Sequence, residues 1–305
     1  WGAPPLGSAI SNSRKNMPSD STAAFASADL QEIQASNGIT YAFRRVGSPS
    51  PDGIPLILLQ HFRGNIDNWD PALVDGLAAE RDVIAFDNTG VGGTTGTTPD
   101  TAEQMADDAI AFLDALDLPQ VDLFGFSLGG FVAQVVALAH PTRVRKLILA
   151  STGPKGAPGM ESWPDDVVAA LVTPDAPGPE QVMQVFYADT PASQEAGGAA
   201  LGRIFGRQEG RDAEVSPEAR KTQYYDAVLS WGALDWDALA NLANITQPTL
   251  IFQGDHDKMI ATRASHTMAG LIPDARIVIY PDASHGAIFQ YAPETVATTL
   301  EFLKA

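Results

Sequence analysis

Val121-Asp122-Leu123-Phe124-Gly125-Phe126-Ser127-Leu128-Gly129-Gly130 passes from an apolar, strand-length run through G-x-S-x-G into the helical pattern of Leu128–His140. A serine between small residues at a strand-to-helix turn sits on a sharp, strained bend that exposes its hydroxyl. Such a bend leaves no room for side chains at Gly125 or Gly129. The helix N-terminus beyond it favours negative charge developing alongside. A glycine-flanked serine in an ordinary tight turn would spell the same five letters. The strand before and the helix after favour the chemical reading.

The same rhythm extends outward. Leu30–Ile33 and Thr40–Val46 read as two opening strands, turned at Ser36–Gly38. Pro55–Gln60 is a continuous apolar run, the pattern of a strand buried on both faces. A helix follows, with Asp70 as N-cap and Pro71 at its first position. Asp82–Phe86 is the next strand, and the Gly- and Thr-rich Asn88–Thr98 is a loop. Thr101 and Gln104 fit a capping box on a helix that places Met105, Ala109, Phe112 and Leu116 on one face. Val144–Ala150 is a strand again. From Thr152 to about Gln247 strands give way to short helical stretches. The rhythm returns with Thr249–Gln253, Ala261–Leu271, Ala275–Tyr280 and Pro293–Leu303.

Alternating strands and helices imply an α/β fold: an eight-stranded, mostly parallel sheet flanked by helices. Residues 25–151 and 248–305 form its core. Residues 152–247 read as a helical cap between strands six and seven, and residues 1–24 as a flexible N-terminal extension. Within that extension Trp1–Asn16 either precedes a native Met17 or is a mature start left by cleavage. Its residues lack the apolar core of about 7–15 residues of a signal peptide. No apolar run reaches the roughly 18–20 residues needed to span a bilayer. A cytoplasmic location is therefore expected.

The 305 residues carry a formal charge of −18, with 45% hydrophobic residues and no cysteine. That apolar share supports a substantial core and excludes a wholly disordered chain. The acidic balance argues against nucleic acid or an anionic membrane as partner. Without cysteine, disulfides, thiolate catalysis and Cys-ligated metals drop out.

Ligands in such sheets bind beyond the carboxyl ends of the strands, so the loops there are the place to look for chemistry. Ser127 supplies a hydroxyl and needs a base. Of the five histidines, His140 ends a helix before Pro141 and His266 lies within a helical pattern. His61, His256 and His285 follow strands. His285 is favoured, because a loop after the last strand can fold back over the serine. A carboxylate must then orient the imidazole. Gly254-Asp255-His256-Asp257 offers two; Asp257 is preferred, with Asp255 in reserve as a turn cap. The order Ser127, Asp257, His285 is that of G-x-S-x-G enzymes. The oxyanion would take the backbone N–H of Leu128 and that of Phe62, in Gln60-His61-Phe62-Arg63-Gly64. The spacing from His256 to His285 has no short metal-ligand pattern, and no metal is expected.

The chain resembles the α/β-hydrolase superfamily in its capped, single-domain branch, from about Asp29 to Leu303. The resemblance rests on LLQHFRG at Leu58–Gly64, FDNTGVGGTTG at Phe86–Gly96, GFSLGG, AHPTRVRKLIL at Ala139–Leu149, GDHD and SHG, in that order and spacing. Two positions depart from the family pattern. Phe62 replaces a small residue, which predicts a narrower pocket mouth. Thr89 replaces an arginine, which puts a structural ion pair there in doubt. Haloalkane dehalogenases and related epoxide hydrolases place aspartate at the elbow, so Ser127 argues against both. The group most resembled is that of esterases and non-haem haloperoxidases.

The resemblance implies a cofactor-free serine hydrolase acting on a small-molecule ester or lactone. Three alternatives stay open: a cofactor-free haloperoxidase or perhydrolase side activity, a C–C bond hydrolase, and a non-catalytic small-molecule receptor. Slow turnover with tight ligand binding would mark the last. Substrate choice is expected in the cap, with Arg63, Trp163, Phe186, Tyr187, Tyr224 and Trp231 as candidates. Most cap aromatics are expected to pack the cap onto the sheet.

Overall fold

The computed structural model describes residues 24–207 and 210–304. All but the last residue of the expected extension 1–24 lies outside them. Eight strands form one sheet: β1 (Gln31–Gln34), β2 (Thr40–Val46), β3 (Leu56–Leu59), β4 (Val83–Phe86), β5 (Val121–Phe126), β6 (Val144–Ala150), β7 (Thr249–Gly254) and β8 (Ala275–Tyr280). Their spatial order is β1-β2-β4-β3-β5-β6-β7-β8. β2 pairs antiparallel with both β1 and β4, and the pairs from β4 to β8 are parallel. β1 begins one residue later than the pattern suggested, and Leu30 stays largely exposed.

β3, β4 and β5 are buried along their whole length, as continuous apolar runs require. Helix α1 (Pro71–Ala78) starts as its sequence dictates: Asp70 Oδ1 accepts from the Ala72 N–H at 2.9 Å. On α2 (Ala102–Ala115) Thr101 Oγ1 accepts from the Gln104 N–H at 3.2 Å. Met105, Ala109 and Phe112 turn inward, and Phe112 stacks on Phe86 at 4.3 Å. Helix α3 (Leu128–Ala139) runs behind the sheet and buries nine of its residues, which explains its almost unbroken apolar sequence.

After β3 the chain steps outward to β4, then returns to β5 on the other side of β3. The loops after β3 and β5 therefore diverge and leave a crevice between them. Leu59 is in register with Gly125, so both loops start at the same height.

Between β6 and β7 the described residues form helices and turns. The main helices are Pro179–Phe186, Pro191–Ile204 and the consecutive Pro217–Lys221, π-helical Thr222–Val228 and Leu229–Gly232. They are tied to the sheet at several points. Arg203 grips both Asp70 oxygens at 2.8 and 2.6 Å. Phe186 O accepts from the Gly286 N–H at 2.8 Å, and Val185 O from Ser284 Oγ at 2.7 Å. Trp231 stacks on Phe131 of α3 at 4.7 Å. Among the described residues no helix is long and apolar enough to cross a membrane.

Candidate active site

Ser127 stands between β5 and α3 with φ 54° and ψ −116°, a conformation that a residue with a side chain rarely adopts. Such a residue costs about 1–3 kcal/mol and persists where its surroundings over-determine it. Here they do. The Ser127 N–H donates to Ala150 O at 2.9 Å, and Ser127 O accepts from the Gly130 N–H and from Thr152 Oγ1, both at 2.8 Å. A Cβ at Gly125 would lie 2.5 Å from Gly129 O and 2.7 Å from Gly130 Cα. One at Gly130 would meet the Thr152 side chain at 2.5 Å. The small residues of the motif are thus required by the approach of α3 to the strand end.

His285 follows β8 in a loop that turns back over the sheet. Its side chain, like that of Asp257 after β7, is fully buried. His285 Nδ1 lies 2.9 Å from Asp257 Oδ2. Asp257 Oδ2 also accepts from Gln253 Nε2 at 2.8 Å, while Oδ1 accepts from the Met259 and Ile260 N–H groups at 2.8 and 2.9 Å. Four donors surround this one carboxylate. They leave it one orientation toward the imidazole, whose Nδ1 then carries the proton. His285 Nε2 is buried without a hydrogen-bond partner among the described residues. A basic nitrogen in that state is free to take a proton from a hydroxyl in the same cavity.

Asp255 has other work. It accepts from the Ala283 N–H at 3.2 Å and lies 2.6 Å from the exposed His256. The reserve carboxylate therefore caps the turn.

The Phe62 and Leu128 N–H groups have no acceptor among the described residues. Leu128 opens α3, where the first amides lack intrahelical partners. Phe62 begins the loop after β3. Its ring is 3% exposed and packs on Trp163 at 5.0 Å and Tyr224 at 6.2 Å.

Ser127 and His285 line one cavity of about 250 Å³, mostly apolar, with Leu171, Val182, Ile204 and Phe289 in its walls. Of the candidate substrate residues, Arg63, Phe186 and Tyr187 line it. Trp163, Tyr224 and Trp231 do not: the first two clamp Phe62, and Trp231 stacks on α3 and donates to Gly153 O at 3.1 Å. Most of the aromatics examined thus serve packing. Arg63 spends its guanidinium on the carbonyls of Leu171, Pro174 and Asp175, at 3.0, 2.7 and 2.5 Å. Burial, and the nearby Arg220 charge, bring it down to about 10. Burial pushes the Tyr187 phenol up, and its hydroxyl has no partner.

His61, set aside in the sequence, is also a cavity residue. Its ring lies between Phe126 and Phe186 at 5.1 and 5.4 Å, and Nδ1 is 2.6 Å from Phe62 O. Burial pushes this imidazole down to about 3, so it stays neutral and donates from Nδ1. Its signal was the strand end it follows. Asn68, Glu214 and Met259 also reach the cavity. Nothing in the sequence marks Glu214, which arrives on the far side of the chain.

Comparison with known proteins agrees with this fold. The poly(3-hydroxyalkanoate) depolymerase of Ectopseudomonas oleovorans is 29% identical over 266 residues, covering 83% of this chain and 86% of that protein. The pimeloyl-[acyl-carrier protein] methyl ester esterase of Chromobacterium violaceum is 29% identical over 206 residues, 65% of this chain and 76% of that one. An alpha/beta hydrolase fold protein from Chitinophaga pinensis has a solved structure 37% identical, with a TM-score of 0.86 over 93% of this chain and 100% of that chain. The model of the alpha/beta hydrolase fold family matches residues 54–291, and the chain belongs to that family.

Proposed function

We propose that the protein hydrolyses a carboxylic ester or lactone through an acyl-enzyme on Ser127. The observation that carries this reading is the pairing within one cavity of a strained elbow serine and a histidine with Nδ1 on Asp257 and Nε2 free. Ser127 Oγ attacks the carbonyl carbon as His285 Nε2 takes its proton. The oxygen gathers negative charge toward the Phe62 and Leu128 N–H groups. The tetrahedral adduct collapses, and His285 returns the proton to the departing alcohol. Water then repeats the sequence on the acyl-enzyme, releasing the acid and restoring Ser127. Asp257 holds the imidazole tautomer and stabilises the imidazolium.

The two curated relatives both bear names of ester-cleaving enzymes, which supports an ester as substrate. The mostly apolar cavity walls support an uncharged acyl group. Residues 152–247 act as the cap that supplies these walls through Leu171, Val182 and Ile204.

A fluorescent fluorophosphonate and a panel of p-nitrophenyl esters and lactones test the proposal. Wild type should label and turn over. Ser127→Ala should fold, fail to label and lose about 10³-fold or more of its turnover. A folded wild type that neither labels nor hydrolyses any of the panel, yet binds a ligand tightly, would refute it in favour of a receptor.

A further inference from the structure

The loop that carries the Phe62 N–H is a turn held from two sides. The Gly64 N–H donates to His61 O at 3.0 Å, which leaves Phe62 and Arg63 as its central residues. Arg63 has φ 62°. At the third position of a turn that is glycine's conformation, and a side chain there is strained. Rotating the central peptide by about 180° exchanges it for a relaxed, negative φ. The plane of that peptide also contains the Phe62 Cα, to which the Phe62 nitrogen is bonded, so where the plane is held sets where that donor sits.

The central peptide is gripped at both ends. Its carbonyl, Phe62 O, accepts from His61 Nδ1 at 2.6 Å. Its N–H, on Arg63, donates to Gln223 Oε1 at 2.9 Å, across 160 residues of sequence. Because a peptide unit is planar, holding both ends fixes the whole plane. Gln223 is fully buried and sits in the π-helical stretch Thr222–Val228, a geometry concentrated at functional sites. Its neighbour Tyr224 packs on the Phe62 ring from the same stretch. Gln223 itself is not in the cavity wall.

We infer that Gln223 is a positioning residue: from the cap, it anchors the Phe62–Arg63 peptide, and with it the Phe62 Cα, and so keeps the Phe62 N–H in place for the developing oxyanion. The inference rests on the acyl-transfer reading above. It makes the docked cap a condition for a complete oxyanion hole.

The test compares Gln223→Met, which keeps the size but not the acceptor, with Gln223→Glu, which keeps an acceptor for the Arg63 N–H. Gln223 Nε2 donates to nothing among the described residues, so Met strands no acceptor. With p-nitrophenyl butyrate, Gln223→Met should lose about tenfold or more in kcat, with KM within about twofold. Its affinity for a trifluoromethyl ketone, which forms a tetrahedral adduct on serine, should fall by the same factor as kcat/KM. Gln223→Glu should keep kcat within about threefold of wild type. A folded Gln223→Met with wild-type kcat would overturn the inference. So would equal losses in both variants, or a kcat loss without weaker ketone binding. Wild type that neither labels with fluorophosphonate nor hydrolyses the ester would instead overturn the underlying reading.

Discussion

Alanine at Gly125 should damage both stability and chemistry, while alanine at Gly198 should do neither. At Gly125 the new methyl would lie 2.5 Å from Gly129 O, 2.7 Å from Gly130 Cα and 2.8 Å from Gly129 C, all backbone atoms. Carbon contacts relax at about 3.5–4 Å, so the first turn of α3 would have to move out by roughly 1 Å. No flexible side chain is there to absorb the move. Overpacking of this kind costs about 3 kcal/mol. For a chain of this size that is about 6 °C in Tm, at about 2 °C per kcal/mol. The displaced turn carries Ser127 and the Leu128 N–H, and a misplacement of about 1 Å costs roughly 10²-fold in rate. Gly198 lies exposed on the helix Pro191–Ile204 with nothing within 4 Å of an added Cβ. Alanine there should raise stability by about 0.5–1 kcal/mol, through helix propensity and a less flexible unfolded chain. Thermal melts and the rate of fluorophosphonate labelling read both effects. Gly125→Ala with a wild-type Tm and labelling rate would refute the claim that α3 packs hard against the strand end.

Asp257→Asn should keep the fold and lower kcat by about 10³–10⁴-fold, because an amide nitrogen facing Gln253 Nε2 and His285 Nδ1 sets donor against donor. Steady-state kinetics check it, and a loss below about tenfold would remove Asp257 from its assigned role. Stability should also respond to pH through Asp87, after β4. Burial first, and then the Asp212 carboxyl, push Asp87 well above the usual carboxylate range. A Cβ at Gly92 would sit close to both carboxyl groups, which places them side by side. The folded chain keeps a proton that the unfolded chain has released. This group's contribution is therefore full below about pH 4 and is lost as pH rises through the folded value. Asp87→Asn keeps a neutral donor toward Asp212 and should flatten the fall in Tm as pH rises above about 4. Equal Tm slopes for variant and wild type would contradict the shared proton.

Much of the fold was legible because its signals are local. PLILLQ and VDLFGF are apolar without interruption, and only a strand covered on both faces needs that. Asp70-Pro71 and Thr101 announced their helices through the hydrogen bonds they go on to make. Ser127, Asp257 and His285 were nominated by the strand ends they follow. That Asp257 rather than Asp255 faces the histidine has a reason no local pattern contains: the β8 loop brings the His285 ring to the second carboxylate, while the first takes the Ala283 N–H. Thr89 had put an ion pair in doubt, and in the same loop Asp87 faces another acid, Asp212. The Phe62 ring, read as narrowing the pocket mouth, lines the cavity while it packs on Trp163 and Tyr224.

By itself the sequence determined the order of strands and helices, the elbow serine and the small residues around it. Those depend on periodicity, turn chemistry and neighbours within a few positions. The tertiary structure alone decided which aromatics touch the cavity, that His61 joins it, and that Gln223 reaches the Arg63 amide. Each of these joins residues far apart in the chain, and such contacts follow from how the helices between β6 and β7 lie on the sheet. A helix in the cap buries whichever face the docking angle presents, and its own pattern says only that one face is apolar.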